Sequence, residues 1–500
     1  MSSIKKLAGQ TVWYGVSSIF ARFLNLLLTP YLTHQFRGTT EFGQMSLVYS
    51  LTPFLYTLTM FGFETAYFRY IQKKEHEKDV YNTILSSLSV STILLTLLTI
   101  VFNQRIADYI GIGKHPEYIT ICAFIVAFDT ISTIPFARLR HEGRPKKYAF
   151  IRVSGILLNI FITFLFLSVF PALQKKHPDS IWLLLYSAGF GVGYVLIANL
   201  AQSVFQLAVL SRELFKFRFR LNPTLWKEIV IYSLPLTIAG FGGIVNETFD
   251  RIMLQRWSPL PGDMATIQVG IYSACYKISI LISLFVQAFR MGAEPFFFRQ
   301  AQEENAQKTY ARVMKFFVIV ICVMFLVASL YVDIWKRIII RDPLMWEGLK
   351  VVPILLFANM FLGIYYNLSI WYRLSHKTSA GAYITLTGAL ITLLVNYIFI
   401  PHFGYMACAW ATFLCYGSMM VISYRWGQRV YRIPYATKKL AAYLVIVAIL
   451  YFIHYFLIHL WKNTLFSLFL ATLFILSFIY FVLRVEKREF QKLPYIGKWI

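Results

Sequence analysis

The sequence predicts an all-α polytopic membrane protein, and three observations carry that reading. Fourteen long apolar stretches fill the 500-residue chain almost end to end. Hydrophobic residues make up 58% of it against 14% charged, with a mean hydropathy of +0.59, far more apolar than a soluble domain of this length. Basic residues crowd into every second connection between the stretches. At roughly 20 residues per crossing, fourteen spans would use about 280 residues. Runs rich in Leu, Ile, Phe and Val without two-residue alternation are helices, not barrel strands.

The spacing places spans at 10–34, 41–69, 80–103, 116–138, 147–170, 181–211, 226–250, 267–294, 310–332, 348–373, 379–401, 403–427, 438–459 and 463–484. The connections are short; Lys462 and Asn463 nearly suffice between the last two. The tails and the connections after even-numbered spans carry 31 Lys and Arg, the remaining connections 12. Both termini are therefore expected in the cytoplasm. The net charge of +25 needs no nucleic acid to explain it. Basic loops set topology and meet anionic lipid headgroups, so membrane lipids are the expected partners of these charges. The apolar start with Lys5 and Lys6 lacks a small-residue cleavage site and contains Arg22 and Asn25, so it is expected to stay as the first helix.

An internal repeat organises the spans. Arg138-Leu-Arg-His141 with Tyr148 matches Arg373-Leu-Ser-His376 with Tyr383 at an offset of 235. Phe42-Gly-Gln-Met-Ser46 matches Val269-Gly-Ile-Tyr-Ser273 at an offset of 227. Two matches at equivalent points predict two parallel-repeat six-helix bundles, 10–211 and 226–427, with an appended pair at 438–484. Because six is even, both blocks enter from the same side, and such halves typically enclose a central cavity that serves alternating access. That architecture favours a transporter over an enzyme.

Charges inside spans are expensive, at least ~2.5–3.5 kcal/mol each, and should face a cavity or a partner. Ser18, Arg22, Asn25 and Thr29 share one face of span 1. Their stripe faces either a watery cavity or another helix. Lys277 lies one turn from Ser273 in span 8 and is a second cavity candidate. Arg290 is thirteen residues further on, about 140° around the helix, so both cannot point at one ligand on a straight helix. Asp129, in the middle of span 4, must pair with a cation or hold a proton, and is a candidate for ion coupling. Glu64, one turn from the end of span 2, is expected to pair with a base or close the cavity floor. Glu247 and Arg251 read as an ordinary i,i+4 pair.

Glycine runs at Gly189–Gly193 and Gly240–Gly243 mark close helix packing or a hinge. The five cysteines all fall within spans, without metal spacing, and read as packing residues. His454 and His459 in the appended pair read as aromatic-rich, lipid-facing packing. The chain lacks a Walker A loop, H-E-x-x-H and the D-x-D pair of metal-dependent glycosyltransferases, and no cofactor is expected.

Several of these residues resemble the bacterial polysaccharide/oligosaccharide flippases of the multidrug/oligosaccharidyl-lipid/polysaccharide exporter superfamily. The Lys-Lys-Leu-x-Gly start, Arg22 with Asn25, Pro30-Tyr-Leu-Thr33 and Glu41-Phe-Gly43 look like that family's first hairpin. Gly62-Phe-Glu-Thr-Ala66 with Arg69-Tyr70 resembles the end of its second helix. Asn396, Pro401-x-x-Gly404 and Ala407, Ala409 and Ala411 look like its spans 11 to 12. The resemblance implies transfer of an undecaprenyl-diphosphate-linked oligosaccharide across the bacterial cytoplasmic membrane for O-antigen, capsule or exopolysaccharide assembly, alongside a polymerase and glycosyltransferases. It also implies a basic cavity for the diphosphate, which Arg22, Asn25, Lys277 and Arg290 would line, with Asp129 and Glu64 as candidates for ion coupling. The alternatives are an ion-coupled multidrug antiporter of the same superfamily, in which twelve spans and acidic cavities are more usual, and a membrane-embedded polymerase or acyltransferase.

Overall fold

The computed structural model describes the chain except residues 1–19, 21, 39, 72–76, 216, 302, 376, 462 and 492–500. Among the described residues there is no strand. Eleven helices there are long and apolar enough to cross a membrane, or twelve when the bent pair Ile181–Phe190 and Gly193–Val209 counts as one span. The expected count of fourteen is therefore not reached, for two local reasons. The first expected span begins outside the described residues, as does Ser18; its described part, 22–35, is helical (α1). The second is broken. Helix α2 (Glu41–Met60) ends at Phe61 and α3 (Phe63–Tyr70) starts after Gly62, with φ of 47° and 69° at the two joining residues. Left-handed backbone suits Gly62, and the Phe61 N–H closes the end of α2 on the Thr57 carbonyl at 3.0 Å. Gln44, Ser46, Ser50, Thr52, Thr57 and Thr59 also dilute the apolarity of α2, several of them buried inward.

Cα packing divides the molecule into two compact units, the described residues through Ser273 with Thr385–Cys408, and Ala274–Ile384 with the described residues from Ala409 onward. In the first unit α5 (Pro116–His141) is the central element, with α4 (Glu77–Val101) and α2 packed on it. Two helices form the remaining wall: α6 (Pro145–Phe164) packs against α7 (Gly193–Val209), and α7 against α5. Proline at the first turn starts both α5 and α6, where its missing N–H costs no hydrogen bond. Helix α8 (Pro223–Glu247) starts on an Asn222 cap whose side chain accepts from the Leu225 N–H at 3.3 Å, and packs on α2 and α3. The core there gathers Met60, Phe63, Tyr67, Ile84, Leu88 and Ile229.

The two glycine runs behave differently. Gly189–Gly193 marks a 120° bend ahead of α7, with Gly191 at φ 42°. Gly240–Gly243 lies inside unbroken α8, where Gly242 comes close to Thr385 and Leu386. A second close approach joins the matched glycines Gly43 and Gly270. A Cβ on Gly43 of α2 would overlap the Thr266 carbonyl, and one on Gly270 would sit 3.1 Å from the Gly43 nitrogen. These backbones meet with no side chain between them, as small-residue helix contacts require.

In the second unit α11 (Ala306–Leu330) is central, packed by α12 (Val352–Leu368) and by the terminal pair α15 (Thr437–Trp461) and α16 (Thr464–Val485). Asn463 caps α16, its side chain accepting from the Leu465 and Phe466 N–H groups at 2.9 and 3.3 Å, which explains so short a turn. Phe452, Phe456, Leu465 and Phe469 on this pair are exposed, an apolar surface that suits lipid and not water. Trp371, Tyr365, Cys415 and Tyr416 fill a separate core. All five cysteines are buried and outside any disulfide, as packing residues should be.

Candidate substrate and ion sites

Asp129 is not isolated. Ser203 of α7 lies near enough to act on its carboxylate as a donor, and Arg152 of α6 lies within electrostatic range. Around it runs a polar seam inside the first unit. The hydroxyls of Tyr56 and Thr133 share a hydrogen bond of 2.9 Å, and those of Thr59 and Thr130 one of 2.8 Å. Asn159 donates to Asn199 at 2.6 Å, and Asn199 in turn donates to the Tyr49 hydroxyl. Gln206, one turn from Ser203, keeps its Nε2 buried without a partner among the described residues. Arg152 lies over the Phe136 ring at 4.2 Å, so its charge is held at the edge of the seam. A carboxylate with a hydroxyl donor and one distant cation can exchange a proton or take a monovalent cation.

Arg22 and Asn25 are exposed on α1, while Thr29 of the same stripe is buried. Among the described residues no ion pair joins Arg22. Glu64 is ion-paired with Arg140, whose guanidinium also lies 4.8 Å from the Phe68 ring centre. Both side chains are about a third exposed, so this is a solvated ion pair of modest energy.

In the second unit Lys277 is half-buried on α10 (Gly262–Gln300), one turn from Ser273. Arg290 is exposed, about 20 Å along the same helix. The two do not converge. Arg290 instead lies over the Tyr366 ring at 4.7 Å and, with Asn367 and Arg373, lines a recess of about 20 Å³, room for a water and no more in this conformation. The Asn367 Nδ2 there is buried without a hydrogen-bond partner among the described residues. Two guanidinium groups and a spare amide donor are anion chemistry.

Three charge clusters escaped sequence reasoning. Asp250 is almost fully buried, accepts from the Tyr272 hydroxyl at 2.6 Å and pairs with Arg251 at 3.0 Å. Arg251 thus serves the neighbouring Asp250, as well as the Glu247 carbonyl oxygen at 2.9 Å. Glu213 is buried beneath Arg144 and Lys147, at 2.8 and 3.0 Å. Burial alone would push its carboxyl up, but Lys147 and Arg144 outweigh that and hold it below the ordinary carboxylate range. Glu486 follows the same logic: burial is outweighed by Lys315, Lys439 and Tyr443, and its carboxyl is held low. No periodicity marks the Glu213 and Glu486 clusters, because their members lie tens of residues or more apart. His454 also departs from its expectation. It is buried and not lipid-facing, with Nε2 3.2 Å from the Ser467 carbonyl oxygen. Among the described residues no three His, Cys, Asp or Glu side chains gather as a metal site.

Residues 7–300, more than half the chain, match the family described as "Polysaccharide biosynthesis protein". The chain belongs to that family. Residues 260–398 also match the MatE family. No curated protein sequence matches. Among solved structures, the fold is similar to a lipid II flippase MurJ in an inward closed conformation, at TM-score 0.67 and 14% identity over 95% of this chain and 99% of that one. It is also similar to an inward-facing multidrug resistance MATE family transporter of the MOP superfamily, at TM-score 0.57 and 13% identity over 88% and 94%. The family member described here is thus a multi-pass membrane protein with the fold of those transporters.

Proposed function

We propose that this protein flips a polyprenyl-diphosphate-linked oligosaccharide across the bacterial cytoplasmic membrane by alternating access, for O-antigen, capsule or exopolysaccharide assembly. The observation that carries this reading is the polysaccharide biosynthesis family match over residues 7–300. Both termini lie in the cytoplasm, and the chain moves its substrate without making or breaking covalent bonds. Glycosyltransferases and a polymerase act before and after it. The guanidinium of Arg22 with Asn25, the half-buried ammonium of Lys277 and the Arg290–Arg373 recess supply cations for a diphosphate at successive stages of transit. The seam around Asp129 takes the coupling proton or sodium ion.

The MatE match over residues 260–398 favours a second reading, antiport of a small cationic molecule. Charge separates the two. Arg22, Lys277, Arg290 and Arg373 would repel a cationic cargo and attract a diphosphate. The test is flipping of a defined lipid-linked oligosaccharide in proteoliposomes by Arg22→Ala, Lys277→Ala and the double variant, with membrane abundance measured alongside. Each single loss is expected to slow flipping by about ten- to a hundredfold, since a hydrogen bond to a charged group is worth about 1.5–3 kcal/mol. Arg22→Lys restores only part, because an ammonium cannot form the bidentate fork. Full activity of the double variant overturns the site assignment. Transport that survives collapse of both proton and sodium gradients overturns the coupling.

A further inference from the structure

A cavity of about 360 Å³ opens in the second unit where the end of α11 meets the turn between α15 and α16. Its volume falls within the range of small-ligand sites. Asp333, Tyr451, His454, Tyr455, His459 and Asn463 line it. By the distribution of Lys and Arg, this turn lies on the face opposite the cytoplasm.

The chemistry of the lining selects its ligand. Tyr451 and Tyr455 stand one turn apart with ring centres 6.3 Å apart and planes 29° from parallel, a two-ring platform. The C–H face of a pyranose, weakly positive, suits the negative face of such rings. His454 gives its Nε2 proton to the Ser467 carbonyl, since a carbonyl oxygen only accepts, and this leaves Nδ1 as an acceptor for a hydroxyl. Asp333 is ion-paired with Lys336, which fixes the carboxylate while leaving further lone pairs to accept from neighbouring hydroxyls. Among the described residues no Lys or Arg lines the cavity. A phosphate would therefore meet the Asp333 carboxylate and, among the described lining residues, no Lys or Arg. A sugar would meet two aromatic faces, acceptors and an amide.

We propose that this cavity is a saccharide-binding site that takes a pyranose residue of the exported glycan on the outer face. The glycan's identity rests on the function proposed above; the site's sugar chemistry does not.

The test uses the full-length protein in nanodiscs and saturation-transfer NMR with methyl glycosides of glucose, galactose, mannose, rhamnose, N-acetylglucosamine and glucuronic acid. Glycerol 3-phosphate serves as the headgroup probe. At least one glycoside is expected to bind with about millimolar affinity, normal for so small a ligand. Tyr455→Ala and Asp333→Asn are each expected to weaken it about tenfold, with the thermal unfolding midpoint unchanged. Tyr455 is largely exposed, so its removal leaves the fold intact. Absence of glycoside binding, binding indifferent to both variants, or binding of glycerol 3-phosphate in place of the glycosides overturns the proposal. Glycoside binding without flipping of any lipid-linked oligosaccharide would sink the proposed function and leave this site standing. Flipping without glycoside binding would do the reverse.

Discussion

Glu486→Gln should loosen the terminal helix pair from the rest of its unit. The carboxylate side chain is 3% exposed and accepts from Lys315 at 2.7 Å, Lys439 at 3.0 Å and the Tyr443 hydroxyl at 2.8 Å. It therefore ties α11, α15 and the end of α16 to one point. The partners do not count equally. Lys439 is 51% exposed, so water replaces most of what it loses. Lys315 is 13% exposed and would be left as a buried, uncompensated cation. Removing one partner of a buried pair costs about 3–5 kcal/mol; with one face of this cluster wet, about 3 kcal/mol is expected. The five buried thiols provide the assay, because a fluorogenic thiol reagent reports unfolding as they become accessible. The Glu486→Gln midpoint should fall by several degrees. Adding Lys315→Met should recover part of the loss, since that variant removes the orphaned charge. An unchanged midpoint in Glu486→Gln, or strictly additive losses in the double variant, would refute the reasoning.

Three further outcomes follow from the same geometry. Gly43→Ala should destabilise by about 1–3 kcal/mol, because its Cβ overlaps the Thr266 carbonyl and α2 must move off α10; an unchanged midpoint in the same thiol assay would contradict that contact. Glu213 and Glu486 are held below the ordinary carboxylate range, so their stabilisation is complete above about pH 4.3 and is lost as pH falls through their lowered folded values. Unfolding midpoints between pH 7 and pH 3 should show that acid-side loss, with a shallower fall in Glu486→Gln; identical slopes would remove Glu486 from the account. Cysteine substitution at Asn463 should react with an impermeant reagent added outside the cell, and cytoplasmic labelling there would invert the topology.

Most crossings were legible because a span is a matter of run length and composition, and long Leu, Ile and Phe runs leave little choice in lipid. The break in span 2 was less so. Gly62 was visible, but the neighbouring left-handed Phe61 follows from how α2 and α3 pack, which no local pattern encodes. The sequence match that aligns Gly43 with Gly270 names two residues that meet in space. For site residues the limit was partnership. The position of Asp129 marked it as costly, yet Ser203 and Arg152 are brought to it by tertiary packing alone. Asp250 was passed over because Arg251 found a plausible partner at Glu247. His454 was read as lipid-facing because its neighbours along the helix are apolar, although the α16 backbone buries it.

The most direct measurement of the central claim is a proteoliposome assay with two cargoes. It compares translocation of a polyprenyl-diphosphate-linked oligosaccharide with efflux of a small lipophilic cation, each under an imposed proton or sodium gradient. The account predicts gradient-dependent oligosaccharide flipping that Arg22→Ala and Lys277→Ala slow, and no cation efflux above protein-free vesicles. Cation efflux without oligosaccharide flipping would contradict it.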